Sequence, residues 1–186
     1  MGTISVSHEN EVTRKIITNG KLILPDSILE DGYIIIENGK IAAIDKGLPT
    51  LNDSDEIIDA AHQYISPGFI DLHTHGAGGA DFMDGTVKAY LTVAKTHARY
   101  GTTALLPTTL TCPDEELFNT FEIYRQAKKQ NTTGAKFLGL HLEGPYFSYN
   151  QRGAQDPTNL KVPIPEHYTK ILSAPDDISR CGYAHD

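Results

Sequence analysis

Pro67-Gly-Phe-Ile-Asp-Leu-His-Thr-His-Gly76 is the most informative segment of the sequence. It predicts a β-strand over Phe69–His75, and the side chains of a strand alternate between its two faces. Asp71, His73 and His75 are therefore expected to project in the same direction. Two imidazoles on one face can bind one metal ion together, because neutral imidazole is a common ligand of zinc, iron and similar divalent ions. The segment thus predicts a metal site at the C-terminal end of a strand.

A second segment with the same alternation is Phe137-Leu-Gly-Leu-His-Leu-Glu-Gly-Pro145. Gly139, His141 and Glu143 share one face of the predicted strand. The opposite face carries three leucines that we expect to pack against helices: Leu138, Leu140 and Leu142. Glu143 ends the strand, and α/β barrels place their catalytic groups at the C-terminal ends of their strands. A carboxylate there can bind a metal or act as a general base, and we expect a metal ligand.

The first part of the chain predicts a small antiparallel sheet without helices. Short apolar runs alternate with turn dipeptides, and Asn-Gly is a strong hairpin signal because both residues tolerate a positive φ. Hairpins are therefore predicted at Asn19-Gly20 and Asn38-Gly39. The predicted strands are Thr13–Thr18, Lys21–Leu24, Tyr33–Glu37, Lys40–Asp45 and Glu56–Asp59.

The pattern changes near residue 66, where strands begin to alternate with helices. The predicted strands are Phe69–His75, Thr103–Pro107 and Ala135–Glu143; the predicted helices are Thr86–Tyr100, Pro113 to about Gln130, and Pro165–Leu172. The first helix has an apolar face formed by Val87, Leu91, Ala94 and Ala98, and the second buries Leu117, Phe121 and Tyr124. Such alternation predicts parallel strands joined by crossover helices. We therefore expect a β-rich domain over residues 1–65 and an α/β domain over 66–186.

Composition limits the partners and the setting of the chain. Its 186 residues carry 16 Lys+Arg against 24 Asp+Glu, a net charge of −8, which argues against a nucleic-acid or anionic-membrane surface. The apolar runs are too short to span a bilayer, and the N-terminus has no signal-peptide pattern. Cys112 and Cys181 lie far apart and have no metal-type spacing. These features predict a reduced, cytoplasmic protein that binds neither nucleic acid nor membranes.

Both segments resemble a known family. The first, after a small β-rich region, is similar to the opening of the amidohydrolase superfamily. His-Leu-Glu-Gly-Pro at 141–145, followed by Arg152-Gly-Ala-Gln155, resembles the N-acetylglucosamine-6-phosphate deacetylase branch of that superfamily. The resemblance runs from about residue 15 to about residue 180.

The resemblance implies a metal-dependent hydrolase that converts N-acetylglucosamine 6-phosphate to glucosamine 6-phosphate and acetate. It implies that Glu143 binds the principal metal and that His73 and His75 bind a second metal, as in some members. Ala154 and Gln155 match the pair beside the sugar, and His141 matches a supporting histidine. The implied cofactor is one or two divalent ions of zinc, iron, cobalt or manganese. The implied full-length form is a homodimer.

The chain also departs from the family. Family members are about twice as long and carry two further histidine ligands and a catalytic aspartate on later strands. A complete barrel takes roughly 250 residues. We therefore expect the N-terminal part of a TIM barrel preceded by a small antiparallel β-domain. We assign no catalytic residue within residues 1–186, and we expect the chain alone to be inactive. The closing residues 181–186 do not resemble the family.

Two other interpretations remain open at this point. The chain can belong to another amidohydrolase, such as a cyclic-amide hydrolase or a deaminase, which would share the His-x-His pattern but not the second segment. It can also be a non-catalytic fragment that binds only a metal or a partner. Arg152 is either a phosphate ligand, which its guanidinium geometry suits, or a solvated loop residue. The histidines expected to have surface or packing positions are His8, His62, His97, His167 and His185.

Overall fold

The computed structural model describes residues 14–173 and 177–184. Expectations for Thr13, His8 and His185 concern residues outside these ranges. The chain divides into two compact units, with the boundary between Pro67 and Gly68. None of the helices in the described ranges has the length and hydropathy of a membrane-spanning segment.

The first unit contains one five-stranded sheet. Its strands are β1 (Arg14–Ile23), β2 (Ile28–Glu37), β3 (Lys40–Lys46), β4 (Glu56–Asp59) and β5 (Tyr64–Ile65). Their order is β3-β2-β1-β4, and β5 also pairs with β1. The β1–β2 and β2–β3 pairs are antiparallel, but β4 and β5 run parallel to β1. The expectation of a purely antiparallel sheet was wrong, because the chain after β3 returns alongside β1 rather than forming another hairpin.

Only one of the two predicted Asn-Gly hairpins exists. Asn38 and Gly39 have φ values of 50° and 74° and connect β2 to β3, as predicted. At Asn19-Gly20 the strand continues, although Asn19 has a φ of 56° and the register shifts on both sides of Gly20. A β-carbon on Gly20 would collide with Ile65 of β5. Gly20 therefore allows β5 to approach β1 closely, and this packing outweighs the local tendency of Asn19-Gly20 to form a turn.

The second unit alternates strands and helices, as predicted. Its elements are β6 (Phe69–Thr74), β7 (Gly76–Ala77), β8 (Ala80–Asp81), α1 (Val87–Arg99), β9 (Thr102–Pro107), α2 (Asp114–Gln130), β10 (Lys136–Phe137), β11 (Leu140–Phe147), α3 (Pro165–Leu172) and β12 (Ile178–Ala184). Strands β6, β9 and β10 form a parallel sheet in the order β10-β9-β6. Strand β11 pairs in parallel with β12, and a parallel bridge joins Thr108 to His141. The α/β class is therefore confirmed.

The strand predicted over Ala135–Glu143 is interrupted. Lys136–Phe137 and Leu140–Phe147 form two strands, because Gly139 between them has a φ of 137°. The interruption breaks the alternation, so Leu138 is 40% exposed rather than packed with Leu140 and Leu142. The sequence analysis also left β12 unassigned.

The helices agree with the prediction except for the face that α1 buries. Thr86 caps α1 by accepting a hydrogen bond from the Ala89 backbone N–H at 3.1 Å. The buried residues of α1 are Ala89, Tyr90, Val93 and Ala94, so the predicted face is rotated. Helix α2 starts one residue after Pro113 and buries the three predicted side chains, and α3 has the predicted bounds. The core of the unit contains a group of aromatic rings: Tyr90 of α1, Tyr124 of α2, Phe137 of β10, and Phe82 between β8 and α1.

Candidate metal centre

Three predicted side chains converge at the end of β6 and within β11. Glu143 does not end its strand as predicted, because β11 continues to Phe147, where it still pairs with β12. His73 lies in β6, His75 follows the end of β6, and Glu143 lies in β11. The Nε2 atoms of the two histidines are 3.2 Å apart. Glu143 Oε2 lies 3.1 Å from His75 Nε2 and 3.7 Å from His73 Nε2. We call these three residues the histidine cluster.

The spacing of these donor atoms suits a small cation. Zinc bonds of about 2.0–2.2 Å at tetrahedral angles place neighbouring ligand atoms about 3.3–3.6 Å apart. The three ligand atoms all lie within 4.8 Å of one another and approach that arrangement. Both Nε2 atoms and one carboxylate oxygen face the same point, and neutral imidazole offers a lone pair at such a nitrogen. The donor set can therefore hold one divalent ion between the three side chains.

The residues beneath His73 hold the end of β6 in place. Asp71 Oδ1 accepts a hydrogen bond from the His73 backbone N–H at 3.0 Å, and Asp71 Oδ2 lies 4.0 Å from His97 Nδ1. The other nitrogen of His97 lies 3.3 Å from Thr74 Oγ1. The sequence analysis gave His97 no role, since a single histidine on an amphipathic helix carries no local signal. In the structure His97 lies on α1 and contacts the end of β6, which carries His73.

His141 lies behind the histidine cluster and is buried. Its ring makes an edge contact with the His73 ring, with the centroids 5.0 Å apart, and its Nδ1 lies 3.3 Å from Thr108 Oγ1. Burial, together with the charge of Arg180 and the nearby His73 and His75, lowers the pKa of His141 to about 4. His141 is therefore neutral at pH 7, which fits a packing and supporting residue.

The loop after β9 contacts the backbone of Glu143. The Glu143 N–H donates to Thr109 Oγ1 at 3.3 Å, and Thr111 Oγ1 donates to the Glu143 carbonyl at 3.4 Å. Both bonds are long. The backbone N–H of Thr111 also donates to Gln155 Oε1 at 2.8 Å. These threonines were not predicted, because threonine in a loop has no distinctive pattern.

The other predicted residues lie in the segment after β11. Gln155 is half-buried and linked through Thr111 to Glu143, whereas Ala154 is exposed. The Arg152 guanidinium stacks 4.0 Å above the centre of the Tyr149 ring and donates to the Tyr149 carbonyl. The structure thus connects Gln155 with the histidine cluster and holds Arg152 through a local contact.

The second unit thus has parallel strands with crossover helices, and a histidine pair at the end of β6 faces a glutamate of β11. This combination indicates the class of α/β metal-dependent hydrolases. The Amidohydrolase family model matches residues 64–178, which include the whole histidine cluster. The chain belongs to the amidohydrolase family, and the family predicted from the two segments is confirmed.

Similar proteins within this family are sugar-phosphate deacetylases. The N-acetylglucosamine-6-phosphate deacetylase of Bacillus subtilis is 34% identical over 138 residues, which are 72% of this chain and 35% of that protein. An N-acetylgalactosamine-6-phosphate deacetylase of Escherichia coli O157:H7 is 32% identical over 74% of this chain and 35% of that protein. The crystal structure of N-acetylglucosamine-6-phosphate deacetylase from Pasteurella multocida has a TM-score of 0.82 and 29% identity, over 91% of this chain and 44% of that chain. This chain thus spans about a third of the length of both curated relatives.

Proposed function

We propose that the full-length protein carrying this chain hydrolyses the acetamide of an N-acetylated hexosamine 6-phosphate to the amine and acetate. The convergence of His73 and His75 at the end of β6 with Glu143 of β11 is the observation that carries the proposal. The similarity to deacetylases named for such substrates supports it. The glucosamine epimer is our first choice, because the relatives from B. subtilis and P. multocida carry that name.

The residues of the histidine cluster would hold a divalent ion through His73 Nε2, His75 Nε2 and Glu143 Oε2. Such an ion lowers the pKa of a water molecule and polarises a carbonyl oxygen, which are the two requirements for cleaving an amide at neutral pH. Glu143 adds a negative charge to the donor set, and neutral His141 packs behind it without adding a competing positive charge. Asp71 fixes the His73 backbone and thereby the direction of the first imidazole.

Gln155 would orient the sugar beside Ala154. An N–H group only donates, so the Thr111 N–H identifies the atom facing it as the side-chain oxygen of Gln155. The two N–H donors on Gln155 Nε2 are therefore free to point away from Thr111. They suit the hydroxyl and phosphate oxygens of a sugar phosphate, which accept hydrogen bonds.

The proposal includes the finer features implied by the family resemblance. The second unit would form the first part of a (β/α)8 barrel after a small β-domain, and the full-length protein would be a homodimer. The two cysteines of the described ranges, Cys112 and Cys181, are free thiols, which supports a reduced cytoplasmic setting. The metal would be zinc, iron, cobalt or manganese, since histidine and carboxylate suit all four.

Acetate release tests the proposal. The full-length protein should release acetate from N-acetylglucosamine 6-phosphate in the presence of Zn²⁺, and Glu143→Gln should lower kcat by a factor on the order of 10² or more. Glu122→Gln is the matched control, because Glu122 is 59% exposed on α2 and should leave turnover unchanged.

The 186-residue chain separates metal binding from turnover. We expect it to bind Zn²⁺ but to release no acetate, because the resemblance assigns two further histidines and a proton-shuttling aspartate to later strands. Turnover by the chain at a rate near that of the full-length protein would contradict this part of the proposal. Undiminished activity of full-length Glu143→Gln would remove Glu143 from the mechanism.

A further inference from the structure

We infer that Thr111 is a positioning residue that joins the substrate segment at Gln155 to the metal ligand Glu143. The inference rests on the proposed function for the role of Glu143. Thr111 lies in the loop between β9 and α2 and is 7% exposed. The same residue binds one partner through its backbone and the other through its side chain.

The backbone of Thr111 holds Gln155. Its N–H donates to Gln155 Oε1 at 2.8 Å, across 44 residues of sequence. This N–H lies before α2 and has no carbonyl of that helix as an acceptor, so Gln155 supplies the acceptor that a buried N–H requires. Movement of Thr111 would therefore move the side chain of Gln155.

The side chain of Thr111 holds the backbone of Glu143. Its hydroxyl donates to the Glu143 carbonyl at 3.4 Å, while Thr109 Oγ1 accepts from the Glu143 N–H at 3.3 Å. Each bond is long and weak by itself. Together they hold the peptide groups on both sides of the Glu143 α-carbon, which limits the directions that the carboxylate can take.

Gly144 provides the space for this contact. Its φ is 94°, a region that favours glycine, and a β-carbon there would collide with the Thr111 hydroxyl. The chain therefore brings the threonine hydroxyl against the backbone immediately after Glu143. This close approach is an independent sign that Thr111 and the strand end are fitted to each other.

Amide hydrogen exchange of the metal-free chain tests the link directly. Thr111→Val keeps the shape of the side chain and removes its hydroxyl, so we expect faster exchange in the segments 139–147 and 150–158. Thr111→Ser keeps the hydroxyl and should restore exchange close to that of the wild type. Thr120→Val is the matched control, since Thr120 is also buried but bonds only within α2, to the Glu116 carbonyl.

Zn²⁺ affinity gives the second readout. Removing partners that orient metal ligands typically weakens binding 10–100-fold, so Thr111→Val should raise the Zn²⁺ dissociation constant by about tenfold. Thr111→Ser should remain within about threefold of the wild type, and the visible spectrum of bound Co²⁺ should change with Val but not with Ser. Gln155→Met should weaken Zn²⁺ binding less in the Thr111→Val variant than in the wild type, because the effects of substituting two coupled residues do not add.

The outcomes separate this inference from the proposed function. A wild-type chain that binds no Zn²⁺ would contradict the proposed metal site, and the exchange data would still decide the role of Thr111. Unchanged exchange of both segments in Thr111→Val would overturn the inference. Equal acceleration in Thr111→Val and Thr111→Ser would also overturn it, because the effect would then come from packing and not from the hydroxyl.

Discussion

Two polar clusters of the second unit use similar residue types but are satisfied in different ways. One is the histidine cluster. The other, which we call the tyrosine network, contains Tyr146, His167, Asp114 and Lys161. In the network Tyr146 Oη lies 2.7 Å from His167 Nδ1, and Asp114 Oδ1 lies 3.0 Å from His167 Nε2 and 2.5 Å from Lys161 Nζ.

The two clusters differ in the charges that face their carboxylates and in the hydrogen-bond partners of their histidine nitrogens. In the tyrosine network the carboxylate faces an ammonium group, and both nitrogens of its histidine have partners. In the histidine cluster two imidazole nitrogens and a carboxylate oxygen face one another, and no lysine or arginine within residues 14–173 and 177–184 forms an ion pair with that carboxylate. The network is satisfied by its own side chains and contributes stability, whereas we propose that a cation completes the cluster.

The same substitution should weaken metal binding in the histidine cluster and leave it unchanged in the tyrosine network. His75→Ala removes one of three donor atoms, so the Zn²⁺ dissociation constant should rise by a factor of about 100 or more. His167→Ala leaves the donor set intact, and its Zn²⁺ dissociation constant should stay within about twofold of the wild type. Isothermal titration calorimetry measures both values, and similar losses in the two variants would break the distinction.

Zinc should stabilise the folded chain only through the histidine cluster. At a free Zn²⁺ concentration 100 times the dissociation constant, the free energy of unfolding should increase by about 2.7 kcal/mol. A chelator should reverse the increase. Urea denaturation should show the same increase in His167→Ala and at most about 0.4 kcal/mol in His75→Ala, whose dissociation constant is expected to be about 100-fold higher or more. An equal increase in all three proteins would place the binding site elsewhere.

The tyrosine network should contribute to stability without the metal. His167→Ala leaves the Tyr146 hydroxyl without its partner and leaves Lys161 as the partner of the Asp114 carboxylate, so the free energy of unfolding should fall by about 2 kcal/mol. Tyr146→Phe removes a single hydroxyl and should cost about 1 kcal/mol. Metal-free His75→Ala should unfold within about 0.5 kcal/mol of the wild type, because its side chain is 34% exposed. A larger loss in His75→Ala than in His167→Ala would contradict the assignment.

The sequence predicted the convergence of the histidine cluster because strand parity is a local property. His73 and His75 are two residues apart, and Glu143 lies in a strand with alternating leucines, so the pattern was sufficient to bring the three side chains together, although β11 continues beyond Glu143. It failed where tertiary packing decides. Asn19-Gly20 has the pattern of a hairpin, but the approach of Ile65 keeps the chain extended.

Other features had no local signal at all. Strand β12 contains Ser, Arg and Gly between its apolar residues, so no alternation marks it, although it pairs along the length of β11. Thr111 and Gln155 are separated by 44 residues, and their contact becomes visible only when the loops after β9 and β11 meet. The convergence of the three proposed ligands was thus predictable from the pattern, whereas the contacts of Thr111 and Gln155 were not.

The smallest expected effect is the pH dependence of the tyrosine network. Burial would raise the pKa of Asp114, but hydrogen bonds from Lys161 and His167 outweigh it and lower the pKa below its ordinary value of 3.8. A carboxyl group with a lowered pKa in the folded state contributes stability above its unfolded pKa and loses it as the pH falls through the folded value.

The difference in free energy of unfolding between the wild type and Asp114→Asn should therefore be constant above about pH 5 and shrink below pH 4. Asp26→Asn is the control, because Asp26 is exposed in the turn between β1 and β2 and accepts a hydrogen bond from the hydroxyl of its neighbour Ser27. Urea denaturation of the metal-free proteins at pH 3, 5 and 7 measures the effect. A difference for Asp114→Asn that grows on acidification would show that this carboxyl group destabilises the fold, and the network would then no longer contrast with the histidine cluster.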